Sequence, residues 1–322
     1  MPHEDAVPES IHSFAEIGVA QTLDWLRRER GVPAELRQLS SAEGVGLARL
    51  ALPDDRGAAL AVVPLFTPDE ETDARCAALA QALSDAVGPD LDGVVLWTPP
   101  GAPIPAPDDD AALQRIREAA AGLAPGDPAE VGFPVTLGIR KVGDEGSYLS
   151  VQGGLSPHWA RFTNQVFGQF QLDSTALHRL PRDSDKVTQL VDFLVLVANG
   201  IRTAGNTTTA PAEDTWSLQR LPGLTGPRVV AAAPAAEPEQ GGPVRKALRA
   251  GTRAAITALG RSPESVRLIT YVGVFRAIQE ETASIALRGL DPASFAHFDA
   301  ACLVADAELR VLFGPTPESR LG

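Results

Sequence analysis

Apolar positions along the chain change period several times. From Ser13 a helical period begins: Val19, Leu23 and Leu26 share one face, Glu16 stands at capping-box distance from Ser13, and Gly31 offers a stop after Arg27, Arg28 and Arg30. Three strand-like runs follow at residues 34–39, 45–52 and 58–66. The second alternates through Val45, Leu47 and Arg49, while the third is almost wholly apolar and predicts a central strand. Thr67-Pro68-Asp69-Glu70 then opens a helix reaching Val87, and residues 92–97 form another apolar strand. A proline-rich loop covers 98–107, and Asp108-Asp109-Asp110 starts a helix ending near Gly122.

The next stretch predicts a hairpin, residues 133–142 and 147–152 around Gly143-Asp144-Glu145-Gly146. Ser156-Pro157 opens a helix to Phe167, and a more apolar helix covers 184–198. Residues 203–214 and 231–243 read as exposed loops. A helix over 244–259, a strand over 266–272, a helix over 275–287 and strands at 300–304 and 308–313 complete the pattern. The expected class is α/β to α+β, with mixed sheets flanked by helices and an N-terminal helix-strand-strand-strand-helix-strand order. Two subdomains are expected: 1–128, acidic and α/β, and 129–322, α+β, with no long flexible linker between them.

Composition narrows the class of function. The 322 residues include 29 Gly and 27 Pro, are 44% hydrophobic and carry a net charge of −13. That mixture excludes collagen-like, coiled-coil and disordered chains. The charge is uneven: residues 1–161 hold 12 basic and 25 acidic side chains, residues 162–322 hold 16 of each. Such an acidic half repels nucleic acid and anionic membrane. The start of the chain lacks the apolar core of a signal peptide, and no apolar run is long enough for a membrane span. Two distant cysteines in apolar settings, Cys76 and Cys302, read as buried thiols in a reducing cytoplasm.

No strong catalytic motif emerges. Gly44-Val45-Gly46 lacks the third glycine of a dinucleotide fingerprint, and the five histidines show no metal-ligand spacing. Ser156 imitates a nucleophile elbow, but Pro157 has no N–H to give an oxyanion, so a helix cap explains both residues. No cofactor and no metal is expected.

Two stretches stand out. Tyr148, Trp159, Phe162, Phe167 and Phe170 cluster in a chain with 17 aromatic residues, interleaved with amides. Trp159, Phe162, Val166 and Phe170 keep helical spacing, and His158, Arg161 and Gln165 share a second face. The second stretch is the helix over 244–259, where Arg245, Arg249 and Arg253 form a basic stripe at i, i+4, i+8 and no acid interrupts residues 243–260.

The N-terminal order resembles the core of restriction-endonuclease-like nucleases. Ala61-Val62-Val63-Pro64 has neither the carboxylates nor the lysine of that site, so the resemblance implies a degenerate, nucleic-acid-associated core. The same order with acidic composition is similar to small acidic chaperones of secretion systems, which implies holding a partner chain.

The leading expectation is a non-catalytic binding or assembly subunit of a bacterial cytoplasmic multiprotein complex. Its partner contacts would be Trp159, Arg161, Phe162 and Gln165, with Arg245, Arg249 and Arg253 as a second surface; self-association is compatible with it. The alternative is an enzyme with a general acid–base site at His158, Arg161, Asp173 and His178.

Overall fold

The structure is a computed structural model that describes residues 9–42, 44–153, 159–233, 242–260, 262–273 and 290–314. It shows mixed sheets with helices, as expected. The chain divides into two compact units. Unit 1 comprises Met1–Ala129 and Ser217–Gly322, and unit 2 is Glu130–Trp216. The chain leaves unit 1 after Ala129 and returns to it at Ser217. Strand pairing across the whole sequence dictates that return.

Unit 1 is built on six strands: β1 (Glu35–Ala42), β2 (Val45–Ala51), β3 (Gly57–Pro64), β10 (Val266–Gly273), β11 (Ala300–Ala305) and β12 (Glu308–Phe313), side by side in that order. β1, β2 and β3 are antiparallel neighbours, β3, β10 and β11 run parallel, and β12 turns back against β11. Both faces of the central strands are buried. Leu60 and Val62 face α1 (Glu9–Arg30) with Leu268, Val272 and Cys302. Ala61 and Val63 face α6 (Gly242–Leu259) with Ile269, Tyr271 and Leu303. Burial on both sides explains why β3 reads as a continuous apolar run.

The two helices seat on the sheet by the same device. A Cβ on Gly18 would lie 2.4 Å from Val62 Cγ1, and one on Gly251 would lie 2.2 Å from Val63 Cγ1. Each helix therefore presses glycine backbone onto one of two successive β3 residues. Each then adds one buried hydroxyl pair to β10: Thr22 Oγ1 to Thr270 Oγ1 at 2.8 Å, and Thr252 Oγ1 to the Tyr271 hydroxyl at 2.6 Å.

The remainder of unit 1 holds α2 (Glu70–Val87), β4 (Val94–Trp97), α3 (Asp110–Ala120) and β9 (Arg228–Val230). β4 runs antiparallel to Ser217–Arg220 and parallel to β9. Ser13 lies inside α1, which has already begun by Glu9, so it is not the cap. In α2 the cap is Asp69, which accepts from Thr72 N at 2.8 Å, rather than Thr67. Asp109 caps α3 as its acidic start suggests.

Unit 2 departs further from expectation. Its strands lie in the order β6 (Ser147–Gln152), β7 (Gly168–Asp173), β5 (Pro128–Gly143), β8 (Thr207–Arg220). β5 and β6 are not a hairpin, because β7 lies between them, parallel to β6 and antiparallel to β5. Residues 207–214, expected as loop, are the first part of β8, with Thr207, Thr209, Pro211 and Glu213 outward and Ala210 inward. Between β6 and β7 the described helix is one turn, α4 (Ala160–Thr163). Trp159, Phe162, Val166 and Phe170 still meet in one core, joined by Leu137, Ile139 and the inner face of α5 (Ser184–Asn199). The other sheet face is polar and exposed through Gln152, Gln169 and Asp173. Ser156 and Pro157, the helix over 275–287 and most of the 231–243 loop lie outside the described residues.

Candidate functional site

The described residues among those proposed from sequence for unit 2 do not assemble into one site. Trp159 and Phe162 are 1% and 0% exposed, and the Phe162 and Phe170 rings meet edge to face at 6.4 Å. They are packing residues and present no surface to a partner. Gln165 is exposed, whereas Tyr148 and Phe167, not Trp159, are the outward aromatics of that cluster. His158 lies outside the described residues, and of Arg161 only the backbone, within α4, is described.

Asp173 and His178, the other acid–base candidates, have separate partners. Asp173 is exposed and accepts from both the Thr175 hydroxyl, at 2.7 Å, and the Thr175 backbone N–H, at 3.1 Å. Those bonds hold its carboxyl below the usual range. This is a local turn, the common use of an aspartate at the end of a strand.

His178 belongs to a buried polar centre organised by a residue that sequence reasoning missed. Asp214 on β8 is 2% exposed. Its Oδ1 accepts the backbone N–H groups of His178 and Arg179, each at 2.8 Å. Its Oδ2 accepts Trp216 Nε1 at 3.1 Å and lies 3.2 Å from His178 Nδ1, which carries the proton because a carboxylate only accepts. Arg179, itself buried, accepts Thr215 N–H through its carbonyl. A second carboxylate, Glu130, accepts the Arg182 N–H at 3.0 Å. Two acids thus bind the segment after β7 to β5 and β8. A carboxylate can orient an imidazole for general base work. Here, however, the Asp214 donors come from the segment and strand it joins, so the centre acts as a clamp. His178 and Asp214 are 36 residues apart, and no local spacing could announce the pair.

Two concave places lie among the described residues of unit 1. One, of about 320 Å³, lies between α1, α2 and the segment leading into β9. Its charged groups are mutually engaged: Arg228 donates through Nε and Nη2 to Glu16 Oε2 at 3.0 and 2.9 Å, and through Nη1 to the carbonyls of Thr225 and Pro227. Cys76 lines the same cavity, but burial pushes its thiol up to about 12, so it stays protonated and unreactive at neutral pH.

The other place, of about 390 Å³, lies beside α6, over β1 and β2. α6 keeps the stripe that its sequence predicts. Val244, Leu248, Thr252, Ala255 and Leu259 are buried, while Lys246, Arg249 and Arg253 are exposed and Arg245 is half-buried on the flank. The setting makes this unusual. Residues 130–216 hold nine acidic and seven basic side chains, so the acidity of the chain resides in the sequence of unit 1, the unit to which α6 belongs.

Among the described residues no group of three or more His, Cys, Asp or Glu is arranged to hold a metal ion. No described helix is long and apolar enough to cross a membrane. No family model matches the chain, and no curated protein and no solved structure matches it either.

Proposed function

We propose that this chain is a non-catalytic binding or assembly subunit of a bacterial cytoplasmic complex, and that α6 holds an acidic partner protein. The observation that carries the reading is the basic, outward flank of α6. Arg245, Arg249 and Arg253 repeat at i, i+4, i+8 without an acid from Pro243 to Gly260. Like charges at that spacing cost an isolated helix about 0.2–0.5 kcal/mol per pair. The sheet is met by the opposite, apolar face of α6, and Arg253 stands exposed on the outer side. An acidic partner relieves the repulsion between the arginines and is steered to them by the same field. Two buried free thiols, Cys76 and Cys302, agree with a reducing compartment.

The test uses the tagged full chain expressed in its native cells, purified with its associated proteins and weighed intact. The reading expects a stoichiometric second protein that elutes with rising salt and is lost from the Arg245→Ala/Arg249→Ala/Arg253→Ala variant. A chain that purifies alone, or a partner indifferent to the three substitutions, would overturn it.

A further inference from the structure

We propose that the outward face of α5 is a dimer interface, on which a second copy of this chain lays its own α5 in the antiparallel sense. Among the described residues seven large apolar side chains are exposed, and five of them, Val142, Tyr148, Phe167, Phe193 and Leu196, belong to unit 2. Two of the five stand on α5. Its inner face, Val191, Leu194, Val195 and Ala198, packs on the unit 2 core. The opposite face of such a helix is polar or charged when water is its only neighbour. On α5, however, Phe193 is 39% exposed and Leu196 71%. The contrast is α6, whose exposed positions include Lys246, Arg249 and Arg253.

The spacing of that face selects the occupant. Gln189, Phe193, Leu196 and the C-cap Gly200 are all exposed and follow one another at i, i+4, i+7 and i+11, a single ridge of the helix. The ridge has the same spacing read from either end. A two-fold axis crossing midway between Phe193 and Leu196 therefore sets Phe193 on the other copy's Leu196, and Gln189 on its Gly200, each contact occurring twice. Apolar meets apolar at the centre, and a long side chain meets a position with none at each end. A parallel copy would instead set every residue on itself, Arg202 on Arg202 included.

Charge favours the same sense. The start of α5 carries exposed Asp183, Asp185 and Lys186, acids in excess, and its far end carries exposed Arg202. Arg182, just before the helix, is tied to Glu130. Antiparallel pairing brings each acidic start to the Arg202 end of the other copy and opposes the two helix dipoles. Residues 130–216 hold nine acidic and seven basic side chains, net −2, which leaves −11 of the total −13 to the rest of the chain. Two copies of so acidic a chain are repelled least through unit 2. A pair of helices about 24 Å long lies at the small, transient end of interface sizes, so the dimer forms with rising concentration.

The test is sedimentation velocity of the full chain from about 1 μM to about 0.3 mM. The wild type is expected to pass from monomer to dimer over that range. Phe193→Lys and Leu196→Glu should each weaken the dimer at least tenfold. Both positions are exposed, and circular dichroism checks that the variants fold. An equimolar mixture of the two variants sets the introduced lysine against the introduced glutamate at one contact and leaves Leu196 on Phe193 at the other. The mixture should therefore dimerise at least tenfold more tightly than either variant alone. The Arg245→Ala/Arg249→Ala/Arg253→Ala variant should dimerise as the wild type does, since α6 takes no part. A chain that stays monomeric throughout, or a dimer unmoved by both α5 substitutions, would overturn the inference. So would a mixture no tighter than its components, which excludes the antiparallel register, or a dimer lost only with the α6 arginines, which places self-association elsewhere.

Discussion

The sheets of the two units are covered differently, and that difference governs how each region responds to change. In unit 1, β3 is buried at six successive positions, Ala58 to Val63, because α1 and α6 cover opposite faces. In unit 2, β5 is inward at Leu137, Ile139 and Lys141 and outward at Thr136, Arg140 and Val142. A sheet covered twice is held by close packing and tolerates little added volume. A sheet covered once leaves longer segments to be secured by polar contacts, and in unit 2 two buried or half-buried carboxylates secure them.

The largest effect is expected at the unit 2 clamp. Asp214→Ala strips an acceptor from two backbone N–H groups, an indole and an imidazole at once. Removing one partner of such a buried charged network costs about 3–5 kcal/mol. Denaturant unfolding with hydrogen exchange should show the loss first in residues 174–182, and a loss below about 1 kcal/mol would contradict the clamp. In unit 1, Gly18→Ala and Gly251→Ala each force a methyl against a β3 valine, an overpacking cost of about 1–3 kcal/mol. Val62→Ala should partly rescue the first and leave the second unrescued. The control is Gly146, where no atom lies within 4 Å of an added Cβ but φ is +80°, so Gly146→Asn should be milder than either helix glycine.

Alkaline pH distinguishes the units in a third way. Burial holds the Cys76 and Cys302 thiols and the Tyr271 hydroxyl in unit 1 up to about 12, from ordinary values of 9.0 and 10.0. Raised values stabilise the neutral forms, so this contribution is fully present below pH 9 and is lost as pH rises from 9 toward 12. The melting temperature should be flat up to pH 9 in this respect and then fall. The thiols should resist alkylation at pH 8 until the protein unfolds. The smallest effect is expected at Asp173→Ala, which removes an exposed turn and should move stability by about 0.5 kcal/mol.

The contrast also explains what the chain reveals without its structure. The apolar run of β3, the helices around α5 and α6 and the closing strands were legible because each is defined by its own period. β7 was not. Gln169, Gln171 and Asp173 alternate with Phe170 and Leu172 as a strand should, but Phe170 also continues the helical spacing of Trp159, Phe162 and Val166. The burial of those four residues was legible while its cause was not. The hairpin expected from Gly143 to Gly146 has the local signals of a turn, and only the non-local insertion of β7 decides against it. Asp214 carried no signal, since three of its four donors come from His178 and Arg179, which the fold, not the sequence, brings near. The α6 stripe was legible because both its charges and its apolar face repeat within one element.

The central claim is that the α6 arginines hold a partner. It is tested most directly by titrating the co-purified partner into the wild-type chain and into the Arg245→Ala/Arg249→Ala/Arg253→Ala variant, at low and at physiological salt. The account predicts at least a tenfold loss of affinity in the variant and a shallower salt dependence, with the fold retained by circular dichroism. Superimposable isotherms for the two proteins would contradict it.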